Sequence, residues 1–156
     1  MNSEVLHRNL FLAAMPEKEL SLLQPLLKPV DLPQGEVLAE PGEVIPNVLF
    51  LVSGMISLLT TMQDGSAIES ATLGREAVFG VLAALGGHRA NTRAVMQIAG
   101  RALQIRAGDF RAVVDKNPAL RHLVLLSSEL TLVQMQQTAA CNALLRHAWL
   151  AADQDP

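Results

Sequence analysis

The chain is short of cysteine, aromatics and charge. Only one of its 156 residues, Cys141, is a cysteine. That excludes an intrachain disulfide framework and a four-thiolate iron–sulfur site. Tyrosine is absent and aromatics make up 3% of the chain, too few for a platform on which single-stranded nucleic acid would stack. Charged residues are 17% and the net charge is −3, so the basic footprint of a stand-alone DNA-binding domain is missing. No apolar run reaches the ~18 residues of a membrane span. The start, Met1-Asn2-Ser3-Glu4, is polar and acidic, unlike a signal peptide. A cytoplasmic location and no membrane partner are therefore expected. The four histidines, His7, His88, His122 and His147, are scattered and form no His-x-His pair, so the metal set of a cupin barrel is lacking. Ser53 stands in Val-Ser-Gly, not in a Gly-x-Ser-x-Gly elbow. With no nucleophile–base pair and no metal set to read, the expectation is a protein that is not an enzyme, with any cofactor unknown.

What the chain does have is apolar residues, half of the total. That fills the core of one domain, with length to spare for an appended element. It also has a row of glycines with companions: Gly35-Glu36-Val37-Leu38, Pro41-Gly42-Glu43, Ser53-Gly54, Asp64-Gly65, Gly74-Arg75-Glu76 and Phe79-Gly80. Between them run short segments of period two: Val30–Leu32, Val37–Ala39, Val48–Val52, Ile56–Thr60, Ala67–Thr72, Ala94–Ile98 and Ala102–Ile105. These read as strands. Asp64-Gly65 is a hairpin signal, and hairpins in such a series roll up to remove their edges. A β-barrel or jelly roll follows. Arg75–Leu85 is the expected place of a short helix ended by Gly86-Gly87.

Helical spacing flanks this block. Leu6, Leu10 and Ala13, then Leu20, Leu23, Leu26 and Leu27, predict two helices over 3–27, closed by Pro25 and Pro29. A short helix is expected over 108–115, with Asn117-Pro118 as the break. In 118–146, Leu123, Leu126, Leu130, Val133, Gln137, Ala140 and Leu144 recur at the 3-4 spacing of a coiled-coil seam. Leu125, Leu132 and Ala139 form a second stripe. One stripe is expected to pack on the barrel and the other, the seam, to meet a partner helix in a homodimer. Met62, Met96 and Met135 read as core or interface filler.

This order of helices, glycine-punctuated roll, short helix and long helix resembles the cyclic-nucleotide-binding-domain superfamily. More narrowly, it is similar to the sensory half of CRP/FNR-type bacterial transcription regulators. The residues that carry the resemblance are Leu32-Pro33-Gln34-Gly35-Glu36-Val37-Leu38, Glu40-Pro41-Gly42-Glu43, Val52-Ser53-Gly54-Met55-Ile56-Ser57-Leu58, Gly74-Arg75-Glu76-Ala77-Val78-Phe79-Gly80 and Gln137-Thr138-Ala139-Ala140-Cys141-Asn142. The implied fold is a mainly β double-stranded β-helix, or jelly roll, with flanking helices and a long C-terminal dimerisation helix. The implied organisation is a β-roll with N-terminal helices over 1–116, the dimerisation helix over 117–148 and a tail over 149–156. The implied function is effector sensing and dimerisation for transcription regulation. DNA would be a partner only through a helix-turn-helix, for which 149–156 leaves no room. The alternative is a stand-alone ligand-binding or interaction protein that pairs with full-length relatives.

The family's pocket uses a Phe-Gly-Glu-Leu-Ala segment, whose carboxylate accepts the ribose 2′-hydroxyl, and an arginine after a proline that pairs with the cyclic phosphate. Here the first segment is Phe79-Gly80-Val81-Leu82-Ala83, with Val81 in place of the glutamate. The second is Arg89-Ala90-Asn91-Thr92-Arg93-Ala94, with two arginines competing and no proline before either. A ribose hydroxyl buried against valine goes unpaired, at a cost of about 1–3 kcal/mol. The expectation is a degenerate pocket at Phe79, Gly80, Val81, Leu82, Arg89, Ala90, Arg93 and Ala94 that does not take cyclic AMP in the usual way, for an unknown small-molecule effector. For nucleic acid the charge balance makes a direct prediction: a fluorescence-anisotropy titration of this chain with duplex DNA shows no sequence preference.

Overall fold

Asn47–Leu51 reads Asn-Val-Leu-Phe-Leu, four apolar side chains in succession, and such a strand must be covered on both faces. The structure, a computed structural model, describes residues 3–62, 66–87 and 89–152, with side chains from Glu4 to Cys141. Among the described residues the strands are β1 (Lys28–Leu32), β2 (Val37–Ala39), β3 (Asn47–Leu51), β4 (Met55–Thr61), β5 (Ala67–Leu73), β6 (Val78–Phe79), β7 (Arg93–Ile98) and β8 (Gly100–Arg106). They form two antiparallel four-stranded sheets, β1-β8-β3-β6 and β2-β7-β4-β5, the two walls of a jelly roll. The helices are α1 (Ser3–Leu6), α2 (Leu10–Ala13), α3 (Glu17–Leu23), α4 (Val81–Leu85), α5 (Ala107–Asp115) and α6 (Pro118–Ala152).

β3 divides the core in two. Leu49 and Leu51 point into the roll, among Ile56, Leu58, Ala71, Leu73, Phe79, Met96 and Ala102. Val48 and Phe50 point the other way, into a helical core with Phe11, Leu12, Leu23, Leu103, Phe110, Leu120 and Val124. Each such buried side chain contributes about 1.5–3 kcal/mol. Three of the four phenylalanines meet there. The Phe50 ring lies 6.0 Å from that of Phe11 and 6.1 Å from that of Phe110.

The strands follow the two-residue period closely, because each has one face on the roll interior. Pro29, expected to close a helix, lies inside β1. It is tolerated because β1 is an edge strand that pairs only with β8 and can spare an N–H. The Asp64-Gly65 turn lies outside the described residues; the strands it was expected to join, β4 and β5, do pair antiparallel. Gly54 and Gly100 allow two backbones to touch where β4 and β8 begin. Gly54 has φ +86°, and a Cβ there would sit 2.7 Å from the Ile98 carbonyl oxygen.

The expected N-terminal helix pair is three short helices and a 3-10 turn, Gln24–Leu26. The reason is Asn9. Its Oδ1 accepts from the Leu12 N–H at 3.1 Å, capping α2. Its Nδ2 donates to the carbonyls of Leu51 at 3.0 Å and Ala77 at 3.3 Å. This break shifts the helical register. Leu10 and Ala13, read as part of the buried stripe, are exposed; Phe11, Leu12 and Met15 are buried instead. Leu26 is also exposed, whereas Leu20, Leu23 and Leu27 are buried as their spacing predicted. Met96 is core, and Met62 lies at the surface rather than in the filling role expected of it.

The short helix expected over Arg75–Leu85 is confined to Val81–Leu85. Its first half became a turn and β6, because Val78 and Phe79 are claimed by pairing with Phe50 and Leu49 of β3. α5 starts at Ala107 and α6 at Pro118, each within a residue of expectation.

Asn9 is fully buried and ties α2 to β3 and the Ala77 turn. Removing its side chain deletes a cap, worth about 1 kcal/mol, and strips partners from buried carbonyls. Asn9→Ala is predicted to lower unfolding free energy by about 2–4 kcal/mol, read as a shifted midpoint in urea titration with an unchanged slope.

Candidate functional site

β6, pinned to β3, delivers the chain to Gly80. Gly80 has φ +82°, and a Cβ there would lie 2.8 Å from the Asn47 carbonyl oxygen. Only glycine turns this corner without strain, and α4 starts on the next residue. Arg111 of α5 donates from Nε to the Ala84 carbonyl at 2.6 Å and holds the end of α4 in place.

Beside α4 lies a cavity of about 260 Å³. Ile45, Leu58, Leu73, Val78 and Phe79 supply its floor; Gly80, Val81, Leu82 and Ala83 supply one side. Arg89, Ala90, Asn91 and Thr92 form the rim, and Ser128, Thr131 and Met135 of α6 form the remaining wall. Val81 is 6% exposed and packs into the helical core as well as bordering the cavity. Leu82 is 62% exposed at the mouth. A second depression, about 530 Å³ between Arg8 and Arg75, is a wide surface hollow with little lining.

The structure gathers six of the eight expected pocket residues here: Phe79, Gly80, Val81, Leu82, Arg89 and Ala90. Two lie elsewhere. Arg93 is half-exposed and pairs with Glu40, Nε to Oε1 at 3.1 Å, an exposed pair worth about 0–1 kcal/mol. Ala94 is buried in the roll interior and does not line the cavity. Of the two competing arginines, then, only Arg89 borders it. Arg89 Nη1 donates to the Gly42 carbonyl at 2.5 Å. The backbones are stitched together beside it: Gly42 N–H to the Ala90 carbonyl and Ala90 N–H to the Glu43 carbonyl, both 2.8 Å.

Sequence reasoning missed the α6 wall. Ser128, Thr131 and Met135 stand at i, i+3 and i+7, interrupting an otherwise leucine-rich helix, and that interruption was the available signal. The stripe expected to pack on the roll was also misplaced. Neither stripe packs there. α6 rests on the body through Leu120 and Val124, then Ser128, Thr131 and Met135, with Gln134 Nε2 donating to the Thr72 carbonyl at 3.3 Å. Of the seam, Leu123 is partly buried in the helical core. Leu126, Leu130, Val133, Gln137 and Ala140 are exposed, and so are Leu125, Leu132 and Ala139 of the second stripe. The Leu144 side chain lies outside the described residues.

Among the described residues no three His, Cys, Asp or Glu side chains gather as a metal site. No described helix is long and apolar enough to cross a membrane.

Two antiparallel sheets forming a jelly roll, with a short helix and a long helix beside one cavity, define the class of fold. The profile of the cyclic nucleotide-binding domain matches residues 29–117, and the chain belongs to that family. No curated protein matches the sequence. Solved structures share the fold. The N-terminal domain of a transcriptional regulator from Streptomyces coelicolor A3(2) is 21% identical with a TM-score of 0.62, over 86% of this chain and 94% of that one. The catabolite activator protein of Thermus thermophilus is 21% identical with a TM-score of 0.64, over 92% of this chain and 61% of that one. The regulatory subunit of a cAMP-independent protein kinase A from Trypanosoma brucei is 17% identical with a TM-score of 0.63, over 72% of this chain and 41% of that one.

The tight corner at Gly80 can be tested directly. Gly80→Ala forces a left-handed φ on alanine against a backbone oxygen and is predicted to destabilise the chain by about 1–3 kcal/mol. Differential scanning calorimetry reads this as a lowered Tm.

Proposed function

We propose that the chain is the effector-sensing and dimerisation module of a CRP/FNR-type transcription regulator whose effector is not cyclic AMP bound in the usual way. Residues 1–116 sense and 117–148 dimerise; DNA reading is assigned to a helix-turn-helix and not to these residues. The observation that carries this reading is the shared wall. Ser128, Thr131 and Met135 face the cavity, and the opposite side of the same helix is an apolar face left in water.

That face supports dimerisation. Leu130 is 72% exposed, and Leu125, Leu126, Leu132 and Val133 are exposed beside it. A surface helix ordinarily turns its apolar stripe to the core; beyond Val124 this one turns Ser128, Thr131 and Met135 to the body and Leu125, Leu126, Leu130 and Leu132 outward. Apolar patches of this kind mark association sites. The seam residues Leu126, Leu130, Val133, Gln137 and Ala140 then meet their copies in a partner, with Gln137 setting register.

An effector in the cavity touches the helix that makes the dimer. A ligand shifts an equilibrium only by its differential affinity for the two states, and a helix wall supplies that difference. Occupancy moves or orders α6, and the helix pair carries the change. Among the described residues no carboxylate lines the cavity, which supports the exclusion of cyclic AMP.

Sedimentation velocity tests the reading. The wild-type chain is expected to run as a dimer and the Leu126→Glu/Leu130→Glu variant as a folded monomer. A wild-type monomer, or a variant that stays dimeric, overturns it.

A further inference from the structure

Apart from Asn91 and Thr92 on the rim, the cavity's polar side chains are one cation and the hydroxyls of α6; this inference rests on reading the cavity as the effector site. Arg89 is the one charged side chain on the wall among the described residues. A guanidinium has five donors; the Gly42 carbonyl engages the Nη1 of Arg89. Its remaining donors suit an anion, and a carboxylate matches its planar fork.

The α6 wall has the opposite character. Ser128 Oγ donates to the Val124 carbonyl at 2.8 Å, and Thr131 Oγ1 donates to the Ser127 carbonyl at 3.0 Å. A hydroxyl has one proton, and each of these spends it within its own helix. What they offer the cavity is acceptor oxygen, so the occupant must bring an N–H or O–H. Between the two polar ends the surface is hydrocarbon: Leu58, Leu73, Phe79 and Met135. No carboxylate lines the cavity among the described residues, so a sugar diol has no strong acceptor there. At about 260 Å³ the space falls just below the roughly 300–1,000 Å³ that bury a drug-sized ligand, so the occupant is small.

We propose that this cavity takes a small aromatic or alicyclic acid. Its ring lies against the hydrocarbon, its anionic group against Arg89, and one N–H or O–H donor against Ser128 and Thr131. A charge-assisted contact is about twice as strong as a neutral one, so Arg89 contributes most of the selectivity.

Isothermal titration calorimetry on the full chain tests this with indole-3-acetate, which carries ring, carboxylate and N–H. Indole lacks the acid, 1-methylindole-3-acetate lacks the donor, and cyclic AMP carries the sugar. Indole-3-acetate is expected to bind at least tenfold more tightly than indole or the N-methyl acid, and cyclic AMP at micromolar concentration is expected to give no heat. Arg89→Ala, with its fold checked by urea titration, should weaken the acid at least tenfold and leave indole unchanged. Thr131→Val should erase the preference for the N–H compound over its N-methyl analogue. No heat from the acid, equal affinity for acid and indole, an unaffected Arg89→Ala, or a tight cyclic AMP complex each overturns the proposal. Sedimentation run with the same samples separates the two readings. Acid binding to a chain that does not dimerise through α6 sinks the sensory reading and leaves the ligand class standing. A dimer that takes none of the acids sinks the ligand class alone.

Discussion

Everything in this molecule hangs on a strand buried on both faces. β3 sends Leu49 and Leu51 into the roll and Val48 and Phe50 into the helices. Its backbone pairs with β8 on one side and β6 on the other. Asn9 ties α2 to its last carbonyl, and β6 hands the chain from it to Gly80 and α4. These attachments fix where α4 begins, beside the cavity. A loosened β3 would release the helices, the short helix at the cavity and the floor together. Interiors are close-packed, so a change on one face of such a strand is felt on the other.

The second constraint is the inversion of α6. Most surface helices hide their leucines. Here the side toward the body is Ser128, Thr131 and Met135 beyond Val124, and the leucines face water. Both halves of that arrangement have a physical reading. Polar and flexible residues can border a cavity that fills and empties without a large packing penalty. An apolar outer face gains nothing in an isolated chain and gains substantially against a second helix. One helix can thus register a ligand on one side and a neighbour on the other.

Legibility of the sequence followed the range of the interaction. The strands were readable almost to the residue, because period two reports one buried face wherever a roll has an inside. The break at Asn9 was not readable: its cap is local, but the Leu51 and Ala77 carbonyls that hold its Nδ2 are 42 and 68 residues away. β6 was read as helix, since Val78 and Phe79 carry no period of their own and take strand form only by pairing with β3. In the site, the Phe79 to Leu82 segment was legible through its resemblance to the family's Phe-Gly-Glu-Leu-Ala segment. Arg89 and Arg93 were indistinguishable in sequence and differ by the accident that Glu40 stands within 3.1 Å of one.

The sequence by itself determined the class of fold, through the order of its strand-like segments and its family resemblance, and the valine at position 81, through residue type alone. Only the tertiary structure decided which arginine faces the cavity, which side of α6 meets the body and which residues complete the wall. Those choices bring together residues some 40 to 60 positions apart, and no periodicity within a segment encodes the face it will turn to a distant one.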